Sequence, residues 1–144
     1  MILREYTALD NEGVFEVEKE CFCNEVRSFA VLEKTASLDN FIGFVVQEED
    51  KIVGYITATY CLDESDIISV AVSKNFRSKG IATKLINALI SALKEKGVTS
   101  LFLEVRESNI NAIKLYEKVG FTKLSVRKNY YDGVENAINY LYKI

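Results

Sequence analysis

Residues 70–85 read VAVSKNFRSKGIATKL: a β-branched run, a basic turn ending at Gly80, and the first residues of a helical stripe. The pattern is that of a strand delivering the chain to the start of a helix. Backbone N–H groups at a helix start have no partner within the helix and together carry a partial positive charge, so a phosphate is stabilised there. Gly80 permits positive φ or a close approach of the anion, Ala82 keeps the next approach clear, and Arg77 and Lys79 add charge. Ser78, Ile81 and Thr83 complete the turn. A strand-to-helix turn that merely contains a glycine has the same local pattern, and both readings stand on these residues alone. The stretch fits neither GxGxxG nor GxxxxGK followed by Ser or Thr, so a Rossmann dinucleotide site and a P-loop would have to be forced onto it.

Working downstream, Ile81, Leu85, Ala88, Leu89, Ala92 and Leu93 recur at helical spacing as far as KEKG, where Gly97 is the stop signal. VTSLFLEV (98–105) reads as a strand, and NINAIKLYEKVG (109–120) reads as a helix with Ala112, Leu115, Tyr116 and Val119 on one face. Two closing strands are expected near 121–129 and 135–143. Upstream, DIISVAVS (66–73) is apolar on both faces and reads as a central strand. FIGFVVQEEDKIVGYITATYCLD (41–63) gives two β-branched runs joined by an acidic turn at Glu48 to Asp50, a hairpin signal. Ile2 to Tyr6 suggests a short first strand. Val14, Val17 and Cys21 suggest a helix, and residues 27–36 a second. The order β-α-α-β-β-β-α-β-α-β-β predicts an α+β, three-layer fold: a mixed, mostly antiparallel sheet with helices on both faces. No proline, low-complexity tract or repeat marks a linker, so residues 1–144 are expected to form a single domain.

The composition narrows the function. A chain of 144 residues with 49% apolar and 27% charged residues has ordinary globular balance. A net charge of −3 provides no field to draw nucleic acid, so direct nucleic-acid binding is not expected. The first residues, MILREYTALDNEG, lack the basic-then-apolar plan of a signal peptide, and no apolar run approaches the roughly 20 residues that span a bilayer. A cytoplasmic location with no membrane partner is the expectation. Cys21, Cys23 and Cys61 are an odd set and read as free thiols, with Cys21 and Cys61 as small core hydrophobes. The chain has no histidine, which removes Ser-His-Asp and Cys-His nucleophile pairs and leaves too few soft ligands for an ordinary zinc site. No metal is expected, and proton transfer falls to carboxylate, tyrosine, lysine or water.

Two segments together carry a family resemblance. Arg77-Ser78-Lys79-Gly80-Ile81-Ala82 resembles the acetyl-CoA-binding pattern of the GNAT N-acetyltransferases: a Gln or Arg, two residues, Gly, one residue, then Gly or Ala. LEVRESNINAIKLYEKVGF (103–121) is similar to the family's following segment, with Asn109, Ala112, Ile113, Leu115, Tyr116, Lys118, Gly120 and Phe121 in place. The segments stand in the family's order, and the inferred elements match its fold over almost the whole chain. LEVRESN, Tyr116 and RKNYYDG (127–133) resemble, more narrowly, the ribosomal-protein N-terminal alanine acetyltransferases. The chain departs from that group between the first two helices, where CFCNEVRSF keeps Phe22 but has neither proline nor tryptophan, and at Asn136 and Ala82.

The resemblance implies acetyl-CoA as cosubstrate, its pantetheine arm lying between splayed parallel strands around Val72 and Leu103. Val70, Ala71 and Val72 then contact it, and a backbone N–H among them polarises the thioester carbonyl. It also implies that Glu104 is the general base and Tyr116 the acid for the departing thiolate, that Asn109 contacts CoA, and that Phe22, Tyr130 and Tyr131 border the acceptor. From the residues alone, each has a plainer reading. Glu104 could leave its strand for solvent or pair with Arg106, Tyr116 and the two later tyrosines could be packing aromatics, and Asn109 could be a helix N-cap. Alternation puts Glu104 on the face of Phe102, opposite Leu101, Leu103 and Val105.

The acceptor is expected to be the N-terminal α-amine of an alanine, on a ribosomal or other protein. With a pKa of about 7.7–8.0, an α-amine is roughly 10–20% neutral at pH 7, whereas a lysine near about 10.4 is below about 0.1% neutral. Glu104 is expected to take the proton through water. A small amine, such as a polyamine or aminoglycoside, is the alternative acceptor, and a closed acidic pocket would favour it over an open peptide groove. A non-catalytic CoA-binding sensor is the other alternative, and thioester turnover with any amine would exclude it.

Overall fold

In the computed structural model, which describes residues 1–23, 26–131 and 133–144, residues 41–61 form the hairpin that their two β-branched runs and acidic turn predict. Asn24, Glu25 and Asp132 of the stretches quoted above lie outside the described residues. The strands are β1 (Ile2–Glu5), β2 (Phe41–Glu48), β3 (Lys51–Cys61), β4 (Glu64–Val72), β5 (Ser100–Arg106), β6 (Thr122–Tyr131) and β7 (Glu135–Lys143). The helices are α1 (Asn11–Phe22), α2 (Phe29–Ala36), α3 (Ile81–Glu95) and α4 (Ile110–Val119), with short 3-10 turns at Ala8–Asp10 and Lys74–Phe76. This is the order read from the sequence, and its boundaries differ by one or two residues.

The strands join in one sheet of order β1-β2-β3-β4-β5-β7-β6, antiparallel everywhere except between β4 and β5. The run DIISVAVS is the middle strand, as its two apolar faces require. On one face α1 and α2 bring Val14, Val17 and Leu32 against Val45, Tyr55 and Ala71. On the other, the α3 stripe of Ile81, Leu85, Ile86, Leu89 and Leu93 packs with Tyr116 of α4 against Val46, Ile56, Leu101 and Leu103. Each such side chain taken fully out of water contributes about 1.5–3 kcal/mol, so the stripe fixes where α3 begins as well as where it lies. Ser28 caps α2, its Oγ accepting from the Val31 N–H at 3.2 Å. No helix among the described residues is long and apolar enough to cross a membrane.

Candidate active site

β4 and β5 pair through only Glu64, Ser65 and Asp66 against Ser100, Leu101 and Phe102. Beyond these residues β4 runs on to Val72 and β5 to Arg106 with no pairing between them. The divergence has a local cause. Thr57 of β3 faces Ser69 but Ala58 faces Ile67, so Ile68 is an extra residue in β4. Such a bulge bends its strand and increases the twist, turning β4 away, while β5 stays on β7 as far as the Arg106–Ala137 pair. The result is a gap in the middle of the sheet, edged by backbone that has no strand neighbour on that side.

Three cavities meet at this gap. The first, about 600 Å³, lies on the α3/α4 side and is lined by Val70, Ala71, Val72, Arg77, Ser78, Gly80, Ile81, Ala82, Thr83 and Asn109. Gly80 caps α3 in the left-handed region at φ 77°, and a Cβ built on it would meet nothing within 4 Å, leaving the helix N-terminus open. Asn109 caps α4, its Oδ1 accepting from the Ala112 N–H at 3.2 Å, so the plain reading of this residue holds while it also faces the cavity. Arg77 folds back, with Nε donating to the Val72 carbonyl at 2.9 Å and Nη2 to Cys21 Sγ at 3.4 Å. Lys79 does not line the cavity; its ammonium sits 5.4 Å from the centre of the Phe76 ring.

The second cavity, about 350 Å³, passes through the gap and is bounded by Val70, Leu103, Glu104 and Tyr116. Glu104 faces the α1/α2 side, as alternation predicts, since its neighbours Leu103 and Val105 are buried in the α3/α4 core. Its side chain is 28% exposed and its Oε1 lies 3.4 Å from Arg127 Nε. Pairing of Glu104 with Arg106 is not what forms: Arg106 Nη1 bonds Glu135 Oε2 at 3.1 Å, because the antiparallel strand β7 begins beside it. Tyr116 arrives from the opposite face, packed edge-on against Phe121. Burial pushes its phenol up to about 12, so it is a hydrogen-bond donor across the physiological range.

The third cavity, about 640 Å³, continues from Glu104 along Asp66, Arg127, Tyr130 and Tyr131. The two tyrosine rings meet edge to face at 5.2 Å, with the Arg106 guanidinium 4.1 Å from the Tyr131 ring centre and the Arg127 guanidinium 5.2 Å from that of Tyr130. Phe22, at the end of α1, lines both the first and second cavities. The fold therefore brings all the expected residues except Lys79 to one continuous passage.

One further expectation changes. Cys61 is exposed rather than a core residue, because it ends β3 at the turn through Leu62, whose φ is 56°. Cys21 is half-buried, and burial pushes its thiol up against the opposing influence of Arg77, so it is not an activated nucleophile. Sequence reasoning also passed over Glu18, Arg27 and Ser69, which line the second cavity, and Tyr55, which is buried behind them. Glu18 is 2% exposed, and its Oε1 accepts from Arg27 Nη2 at 2.6 Å and from the Tyr55 hydroxyl at 3.1 Å. The available signal was position: Glu18 stands four residues after Val14, on the stripe that packs against the sheet.

The sequence profile of the Acetyltransferase (GNAT) family matches residues 10–121. The [Ribosomal protein bS18]-alanine N-acetyltransferase of Haemophilus ducreyi is 41% identical over 133 residues, covering 90% of this chain and 90% of that protein. The enzyme of the same name from Haemophilus influenzae is 36% identical over 141 residues, 95% of this chain and 94% of its own. The crystal structure of the ribosomal-protein-S18-alanine N-acetyltransferase from Escherichia coli superimposes with a TM-score of 0.92 at 28% identity, covering 99% of this chain and 93% of that one.

Proposed function

The chain belongs to the Acetyltransferase (GNAT) family, and from that membership and the passage through its sheet we propose that it moves an acetyl group from acetyl-CoA to the N-terminal alanine of a ribosomal protein. One observation carries the reading: Glu104 and Tyr116 open from opposite faces onto the gap between β4 and β5, with an open helix N-terminus at one end and an aromatic groove at the other. Two substrates that approach from opposite sides fit that arrangement, and a groove 640 Å³ in volume that runs on past Tyr130 and Tyr131 suits an extended peptide better than a closed acidic pocket would.

The donor's chemistry fits the residues present. Backbone N–H groups following Gly80 would hold the pyrophosphate, and the edge of β4 from Val70 to Val72, which has no strand beside it, would bond the amides of the pantetheine arm. Bound there, acetyl-CoA supplies a thioester whose carbonyl is activated toward amines. A backbone N–H of the same edge polarises that carbonyl and stabilises the negative charge that develops on its oxygen. Glu104, on the acceptor side, takes the amine's proton through water, and Arg127 orients its carboxylate.

Tyr116 stands on the donor side, toward the leaving sulfur. Burial keeps the Tyr116 phenol protonated at neutral pH, so Tyr116 has a proton to donate to the thiolate as it leaves. The test is CoA release from acetyl-CoA with two peptides, one with a free N-terminal alanine and one blocked at its N-terminus with an internal lysine. Release with the first alone is expected. Release with the second, or with neither, overturns the acceptor assignment.

A further inference from the structure

Ser69 follows the bulged residue Ile68 and, by its pairing with Thr57, shares the α1/α2 face with Tyr55 and Glu104. It lines the second cavity, and its Oγ lies 2.8 Å from the Tyr55 hydroxyl. Which of the two donates is fixed by what lies behind them. Glu18 Oε1 already accepts from the Arg27 guanidinium, a group with no acceptor, and it also accepts from the Tyr55 hydroxyl. A phenol has one proton, and Tyr55 spends it on Glu18. The contact between Tyr55 and Ser69 must then be made with the proton of Ser69. Burial, with the Glu18 charge beside it, pushes the Tyr55 phenol far above the usual range, so its proton stays in place. The chain Ser69 → Tyr55 → Glu18 thus has one direction, and Ser69 Oγ turns only lone pairs toward the cavity.

We propose that Ser69 is an acceptor-contact residue, whose Oγ takes a hydrogen bond from the incoming amine, and that Tyr55 and Glu18 are positioning residues that hold it in that polarity. The inference rests on the proposed transfer to an N-terminal amine. A group that can only accept favours an amine or ammonium N–H over a carbonyl or carboxylate at the same point. Ser69 therefore stands across the gap from Glu104 as a second point of attachment on the α1/α2 face, while the opposite face is left to the donor.

Steady-state kinetics with a peptide beginning in alanine, varied against acetyl-CoA, provide the test. Ser69→Ala is expected to raise the peptide KM about tenfold, as for loss of a hydrogen bond to a charged group, and to leave the acetyl-CoA KM unchanged. Ser69→Thr, which keeps the hydroxyl, is expected to restore the wild-type peptide KM. Tyr55→Phe removes the acceptor that holds the Ser69 proton, and it should raise the peptide KM in the same direction as Ser69→Ala. A purely structural Ser69 would move the melting temperature and leave the peptide KM alone; that result, or an equal rise in the acetyl-CoA KM, overturns the assignment. Absence of wild-type turnover with the alanine peptide overturns the acceptor reading itself, and the role of Ser69 with it.

Discussion

The Glu104 carboxylate and the Tyr116 phenol approach the same gap from opposite faces of the sheet, one from strand β5 and the other from helix α4. In the proposed reaction Glu104 would meet the amine before attack and Tyr116 the sulfur as it leaves, without either side chain crossing the substrate's path. Glu104→Gln is expected to lower kcat by about 10²–10⁴ with little change in the acetyl-CoA KM, which initial-rate measurements at saturating peptide would check.

Tyr116→Phe keeps the ring that packs on Phe121 and removes the hydroxyl, so kcat should fall about a hundredfold while stability at neutral pH is retained. The raised phenol of the wild type gives a second expectation. Its folded-state value, about 12, lies above the unfolded value near about 10, so its contribution to stability is complete below the unfolded value and is lost as pH rises through the folded one. Tyrosinate absorbance during an alkaline titration should show one phenol in the wild type, absent from Tyr116→Phe, that ionises late; an early one would contradict its burial.

Gly80→Ala places a Cβ at φ 77° where the structure has open space. No neighbour resists it, so the effect on folding is backbone strain alone, about 1 kcal/mol. The larger effect is on the donor, since the methyl occupies the approach to the α3 N-terminus. Calorimetric titration with CoA should show affinity lowered at least several-fold beside a drop of only a few degrees in Tm.

Asp10 links pH to stability at the start of α1. Burial alone would raise its carboxyl, but hydrogen bonds from Arg4 at 2.8 and 2.9 Å and from the Thr7 N–H at 2.8 Å outweigh it and hold the group below the usual carboxylate range. The depressed value means that its contribution is present above the unfolded pKa, near about 3.9, and is lost as pH falls through the folded one. Asp10→Asn should destabilise the protein by about 1–2 kcal/mol at neutral pH, less than a fully buried pair because Arg4 is 36% exposed. Melts taken at successively lower pH should show the two proteins converge.

What could be read from the sequence follows physical range. Leu85, Leu89 and Leu93 announce α3 because a helix repeats within its own length, and Gly80 announces its start because backbone conformation is a local property. Glu104 was visible as a carboxylate interrupting SLFLEV. Its partner Arg127 was not, because that contact depends on β6 and β7 folding back over more than twenty residues of chain. The bulge at Ile68 is equally silent: IISVAV has no glycine or proline to mark it, and the extra residue exists only relative to the register of β3. Cys61 was misplaced for a related reason, since its exposure is set by where the neighbouring strand turns.

Ile68 also governs parity. Before it, Asp66 lies opposite Thr59, and after it Ser69 lies opposite Thr57, so an odd number of residues on β3's side answers an even one on β4's. Removing Ile68 would restore an even ladder in which Ser69 still faces Thr57 and Val70 still faces Ile56, so both walls would keep their side chains while β4 lost the bend that turns it from β5. At this position the chain's count is therefore constrained more tightly than its chemistry: Ile68→Val should leave an active enzyme, and deletion of the same residue should leave β4 running on beside β5, with the gap closed and turnover lost.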